Sequence, residues 1–164
     1  MTQTQLLIAE DDEALSALLE EYLSSSGYQV TTVHRGDDAV ATLKAKHFDI
    51  ILSDIVMPGA DGLSVLEASK QKPSQTLVIL MTAYSGIEDA IHAVEQGAYD
   101  FVSKPFQLPE IRVRLDNAAR YQMLLRKWEA HDSLEHLKKL TPFTESKKHV
   151  YSGAAFSAYG ARKE

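Results

Sequence analysis

Short apolar runs and amphipathic stretches alternate along the first 106 residues. The runs Gln5–Ala9, Gln29–Val33, Asp49–Ser53, Leu77–Met81 and Tyr99–Val102 have the length and composition of buried strands. Between them, 13–25, 37–46, 63–69 and 88–96 carry apolar residues at helical spacing, and Gly27 and Gly97 suit the ends of the first and fourth helices. Strands alternating with helices of this length predict consecutive βα units. The fold class expected is α/β, a five-stranded parallel sheet with helices on both faces.

A fifth helix is expected to start near Leu108, with Pro109 tolerated in its first turn and Glu110 favourable at its positive end. Nothing in the pattern breaks it before Thr141-Pro142, which allows about thirty residues or about 45 Å. Ile111, Leu115 and Ala118-Ala119 suit packing on the sheet. Farther on, Tyr121, Leu124, Leu125, Trp128, Leu134 and Leu137 keep apolar positions, although His131 and Glu135 spoil a regular heptad. Residues 141–164 are rich in small residues with isolated aromatics, and lack a periodicity that would form a domain. The organisation expected is therefore a domain over 1–120, a helical extension over 121–140, and a flexible tail or truncated linker over 141–164.

The net charge of -6 divides unevenly. Residues 1–120 hold 18 acidic against 9 Lys and Arg side chains, whereas 121–164 hold 5 against 8. The acidic first part is a poor candidate for direct nucleic-acid contact, which depends on neutralising phosphates. There is no cysteine, hence no disulfide framework or thiolate metal site. No run has the length of a membrane span, so no membrane association is expected and a cytoplasmic location is.

Chemistry is expected at the carboxyl edge of such a sheet, where strand order reverses. Asp11 and Asp12 follow the first run, Asp54 the third, Thr82 the fourth and Lys104 the fifth. Three carboxylates, joined by a backbone carbonyl such as that of Val56, make a hard-oxygen set suited to magnesium, with manganese as a substitute. Asp54 is the candidate nucleophile toward phosphorus. The ion and Lys104 would neutralise the phosphoryl oxygens, and the Thr82 hydroxyl would donate to them. Singly, each aspartate reads better as a helix cap, Thr82 as a cap of the helix near Glu88 and Lys104 as an ordinary ion-pair partner. Their coincidence at four strand ends favours a site.

Four segments carry a resemblance: 6–13 (Leu-Leu-Ile-Ala-Glu-Asp-Asp-Glu), 53–62 (Ser-Asp-Ile-Val-Met-Pro-Gly-Ala-Asp-Gly), 81–84 (Met-Thr-Ala-Tyr) and 97–106 (Gly-Ala-Tyr-Asp-Phe-Val-Ser-Lys-Pro-Phe). Collinear over residues 5–120, they resemble the receiver domains of bacterial two-component response regulators, most closely those that precede ATPase modules in transcriptional activators. The resemblance implies a flavodoxin-like (βα)5 fold with strand order 2-1-3-4-5. It implies Asp54 as acceptor of a phosphoryl group from a histidine kinase or phosphotransfer protein, with slow self-dephosphorylation. Asp11, Asp12 and Asp54 would hold the ion, Lys104 the phosphate, and Thr82 with Phe101 would form the switch. It further implies a cis bond before Pro105 and an altered surface at the fourth helix, fifth strand and fifth helix. Ala83, which leaves room beside Thr82, and Tyr84, which could shield the acyl phosphate, fit that picture, and the output would come from a missing part, a separate partner or a homodimer through that surface or the helical extension.

Two other readings follow from the same residues. A magnesium-dependent phosphatase would use Asp54 as nucleophile, but such enzymes carry a second aspartate two residues on, where this chain has Val56. A scaffold acting without phosphorylation would not need the full acidic, hydroxyl and lysine set.

Overall fold

The structure, a computed structural model, describes residues 2–71, 75–83 and 87–140. Ten elements alternate along it: β1 (Gln5–Ala9), α1 (Glu13–Ser25), β2 (Gln29–Val33), α2 (Gly36–Ala45), β3 (Ile50–Asp54), α3 (Gly62–Ser69), β4 (Leu77–Thr82), α4 (Ile87–Glu95), β5 (Asp100–Ser103) and α5 (Leu108–Leu140). The strands form one parallel sheet in the order β2-β1-β3-β4-β5. This is the doubly wound, flavodoxin-like (βα)5 arrangement that the alternation and the resemblance predict.

The period of two along each strand sorts the core into two layers. Leu6 and Ile8 of β1, Ile50 and Leu52 of β3, and Ile79 and Met81 of β4 share one layer with Leu19 and Leu23 of α1 and Ile111, Leu115 and Ala118 of α5. The intervening Leu7, Ala9, Ile51, Val78 and Leu80 join Ala39 and Leu43 of α2, Val65 and Leu66 of α3, and Ala93 of α4. Strands covered on both faces need apolar residues at every position, and this is why β1, β3 and β4 read as continuous runs rather than alternating ones. The edge strands β2 and β5 are less deeply covered.

Several boundaries differ from the sequence expectation by a residue. β3 runs one residue further, to Asp54, and β4 one further, to Thr82, because the ladder continues past the apolar runs: Ile55 N–H donates to the Met81 carbonyl at 2.9 Å. β5 starts at Asp100 and ends at Ser103. α1 begins after Asp12, whose carboxylate accepts from the N–H groups of Ala14 and Leu15, a side-chain N-cap.

By compactness the chain divides after Gln122, into residues 1–122 and 123–164. In the first unit, α5 buries Ile111, Leu115, Ala118 and Gln122. In the second, Met123, Leu124, Trp128, Leu134 and Leu137 are exposed apolar positions on the helix. The expected tail, 141–164, lies outside the described residues, as does Tyr84. Among the described residues, no helix is long and apolar enough to cross a membrane.

Candidate functional site

The chain leaves β1 for β2 on one side and later returns to place β3 on the other, so strand order reverses between β1 and β3. A crevice at the carboxyl ends of these two strands is where an open parallel sheet holds a ligand. Register brings the ends level. Ala9 pairs with Ser53, Asp54 with Met81, and Thr82 with Ser103.

Asp54 is the last residue of β3 and only 8% exposed. Its Oδ2 accepts from Lys104 Nζ at 2.7 Å, and its Oδ1 from Val56 N–H at 3.4 Å. The same ammonium donates to Glu10 Oε2 at 2.6 Å. Lys104 follows β5, and its N–H donates to the Thr82 carbonyl at 2.7 Å, tying the lysine to the end of β4. The Lys104–Pro105 peptide is cis. Thr82 itself is buried at the end of β4, and Phe101 on β5 is half-buried against the layer that contains Leu7 and Leu80. Ser53, immediately before the acceptor, is fully buried, its hydroxyl donating to the Asp54 carbonyl at 2.9 Å. It points away from a nucleophile's role.

The carboxylates are distributed differently from the sequence expectation. Glu10, Asp11 and Asp54 each offer an oxygen, and these oxygens lie within 4.8 Å of one another. Asp12 stands outside this group, since its carboxylate caps α1. Its N–H, at 3.1 Å, donates to Glu10 Oε1. Glu10, named from the sequence only within the segment 6–13, is the buried member at 1% exposure. A signal for this existed in the sequence: Asp12 directly precedes a helix, in the position that an aspartate cap takes.

Electrostatics follow from burial. Desolvation pushes the Glu10 carboxyl above its usual range and the Asp54 charge adds to this, against the opposing hydrogen bonds from Lys104 and Asp12 N–H. Burial works to lower the Lys104 pKa, yet the bonds to Asp54 and Glu10 outweigh it and hold the ammonium above the ordinary lysine range. The lysine is a fixed cation. Three hard oxygen donors within reach of one another fit a divalent cation of the magnesium, calcium or manganese type, and do not single one out.

Gly62, at the start of α3, lets this edge close up: a Cβ there would overlap the Asp54 carbonyl oxygen and stand 2.8 Å from Ile55 Cα. Beside Lys104, Leu15, Ala83, Pro105 and Phe106 complete an apolar pocket of about 380 Å³.

Residues 6–116 match the family model described as "Response regulator receiver domain". The chain is 39% identical over 116 residues to the DNA-binding transcriptional regulator NtrC of Salmonella typhimurium, a match covering 70% of this chain and 25% of that protein. It thus spans about a quarter of the length of that relative. Among solved structures, the receiver domain of the Francisella response regulator 1452 superposes with a TM-score of 0.69 at 25% identity, over 73% of this chain and 98% of that one. The BeF3-activated DrrB receiver domain gives 0.65 at 25% identity, over 73% and 99%. With the fold in agreement with these matches, the chain belongs to the response regulator receiver domain family.

Proposed function

We propose that the chain is a phosphorylation-controlled switch in which Asp54 takes a phosphoryl group from the phosphohistidine of a histidine kinase or phosphotransfer protein. The observation that carries this reading is the single ammonium of Lys104 held 2.7 Å from Asp54 and 2.6 Å from Glu10, at the edge where the sheet reverses. An Asp54 oxygen attacks phosphorus in line with the histidine nitrogen. The P–N bond breaks, its electron pair stays on the imidazole, and an acyl phosphate forms. Water later attacks the same phosphorus, the bond to Asp54 breaks, and carboxylate and inorganic phosphate are released.

Glu10, Asp11 and Asp54 are assigned as the side chains that hold magnesium, with manganese as a substitute and the Val56 carbonyl as a further oxygen. The bound ion supplies neutralisation of the phosphoryl oxygens. Lys104 supplies a second positive charge to those oxygens, and Asp12 serves the site by fixing the start of α1. Thr82 is assigned as the hydroxyl donor to the modified acceptor and Phe101 as the residue that reports its movement. The added charge, roughly -1.5 to -2 by analogy with phosphomonoesters, acts by shifting a population between two states. The apolar pocket beside Lys104 suits the entry of a partner's imidazole and its apolar neighbours.

The organisation proposed is a receiver over 1–120, a helical extension over 121–140 and a tail over 141–164, the last outside the described residues. The exposed apolar positions of the extension favour self-association as part of the output. The deciding experiment is intact-mass measurement after incubation with magnesium and acetyl phosphate. The native chain is expected to gain one phosphoryl group, and Asp54→Asn none. No gain in the native chain, or an equal gain in the variant, would overturn the reading.

A further inference from the structure

The buried stripe of α5 contains one polar member. Ile111, Leu115, Ala118 and Gln122 follow each other at helical spacing, and all four are buried, Gln122 at 3% exposure. Its Nε2 donates to the Asp49 carbonyl at 2.8 Å and to the Gln75 carbonyl at 2.6 Å. Asp49 directly precedes β3, and Gln75 lies two residues before β4. The Asp49 carbonyl also accepts from Leu77 N–H at 3.1 Å, so the glutamine amide joins the first rung between the two strands. At their other ends these strands carry Asp54 and Thr82.

We propose that Gln122 is a register lock: its side-chain amide fixes the position of α5 along the sheet and makes that end of the packed helix a fixed point. An apolar stripe alone tolerates sliding by about one turn, or about 5.4 Å, since apolar residues then re-seat on apolar ones. A primary amide does not. Moved by a turn it loses both acceptors while its own side chain stays buried, and a buried unsatisfied donor is penalised far more than a displaced methyl group. One buried polar group among apolar neighbours selects a single register in this way. Tyr121, the neighbouring residue, stacks on Tyr99 with ring centroids 5.4 Å apart, and adds an aromatic contact at the same end of the packed helix.

The lock needs only the fold, whereas its part in signalling rests on the phosphorylation proposed above. With the Gln122 end held at the starts of β3 and β4, rearrangement at the opposite ends of those strands reaches α5 as a tilt about Gln122 and not as a slide.

The test uses the full 164-residue chain labelled with nitrogen-15. The Gln122 side-chain amide protons are expected to exchange at least about tenfold more slowly than those of exposed Gln71 and Gln96. Gln122→Met keeps the bulk without the donor. It is expected to remain folded by circular dichroism and to speed backbone exchange at Tyr121–Met123 by about tenfold, leaving Ile8 and Leu52 unchanged. Fast side-chain exchange in the native chain, or unaltered backbone exchange in the variant, overturns the lock. Addition of beryllofluoride with magnesium is expected to move the signals of Asp54 and Thr82 but not the Gln122 side-chain signals; movement of the latter overturns the fixed point. Absence of any change at Asp54 counts against the phosphorylation reading alone, because the exchange measurements decide the lock without it.

Discussion

Replacing Glu10 by Gln should make the metal-free protein more stable at neutral pH while weakening its response to magnesium. Glu10 is 1% exposed and meets one cation and two carboxylates. At an effective dielectric of about 20, attraction to Lys104 at 2.6 Å is worth about 6.4 kcal/mol, and repulsion from Asp54, at no more than 4.8 Å, at least about 3.5 kcal/mol, to which exposed Asp11 adds a water-screened repulsion. The repulsions offset much of the attraction. What remains is desolvation of the carboxylate, the leading cause of its raised pKa, and an amide at the same place still accepts from Lys104 without carrying that penalty. The net gain expected is about 1–2 kcal/mol, the range that relief of a functional strain reaches, or about 3–8 °C in Tm.

The pH dependence fixes the sign. Because the folded-state pKa of Glu10 is raised, the native site binds its proton more tightly than the unfolded chain does, and this contribution to stability is complete below the unfolded pKa and lost as pH rises through the folded one. The variant has no such proton to lose. Its advantage should therefore be least at acid pH, grow as pH rises through the folded pKa of Glu10, and be full at neutral pH. Thermal unfolding in EDTA across that range measures it, with every other titrating group common to both proteins. Magnesium should then raise the native Tm more than the variant's, since ligand binding to the folded state stabilises it by mass action. A variant no more stable than native at neutral pH in EDTA, or an advantage independent of pH, would refute the reasoning; equal stabilisation by magnesium would remove Glu10 from the proposed ligand set.

Three further outcomes are expected. Asp12→Ala should lower stability by about 1 kcal/mol through loss of the α1 cap, and leave magnesium affinity closer to native than Asp11→Asn does; the reverse ranking in calorimetric titration would make Asp12 the ligand and not the cap. Gly62→Ala should cost about 1–3 kcal/mol in urea unfolding, because the new methyl overlaps the Asp54 carbonyl oxygen, and an unchanged midpoint would show that the edge has room to give. Leu52→Ala, at a fully buried position of central β3, should cost about 2–5 kcal/mol, and a loss below 1 kcal/mol would contradict the packing described for that layer.

The sheet was legible because its central strands are covered on both faces. Leu6–Ala9, Ile50–Leu52 and Val78–Met81 are apolar without interruption, and only a parallel sheet between helix layers uses such runs repeatedly. Strand ends were less legible, since a strand stops where its hydrogen-bond ladder stops. Asp54 and Thr82 belong to β3 and β4 despite being polar. Pattern also placed Asp54, Thr82 and Lys104 at one edge, but it could not say which residues of the run Glu10-Asp11-Asp12 turn toward Asp54. That depends on where β1 gives way to α1, and the cap at Asp12 decides it. Gln122 carried two signals that oppose each other. Its spacing marks a buried position, yet its identity argues for the surface, and the two carbonyls that satisfy it lie 73 and 47 residues away in sequence.

These two polar burials sit at opposite ends of the same strands and have opposite energetic character. At the Asp54 end, Glu10 is buried with its charge only partly compensated by Lys104, so a divalent cation bound at this edge is expected to stabilise it. At the Asp49 end, the Gln122 amide has two acceptors and carries no net charge, so nothing that binds at the acidic edge relieves or strains it directly. Lys104 joins the first of these ends to β4 through its N–H on the Thr82 carbonyl, and Gln122 joins the second to the same strand through Gln75. A change of charge at Asp54 therefore acts on a strand pair that is electrostatically frustrated at one end and hydrogen-bonded into register at the other. If the phosphorylation and the register lock proposed above both hold, motion is expected to concentrate at the carboxyl edge, in Thr82, Lys104 and the start of α5, while Gln122 keeps its place on the sheet.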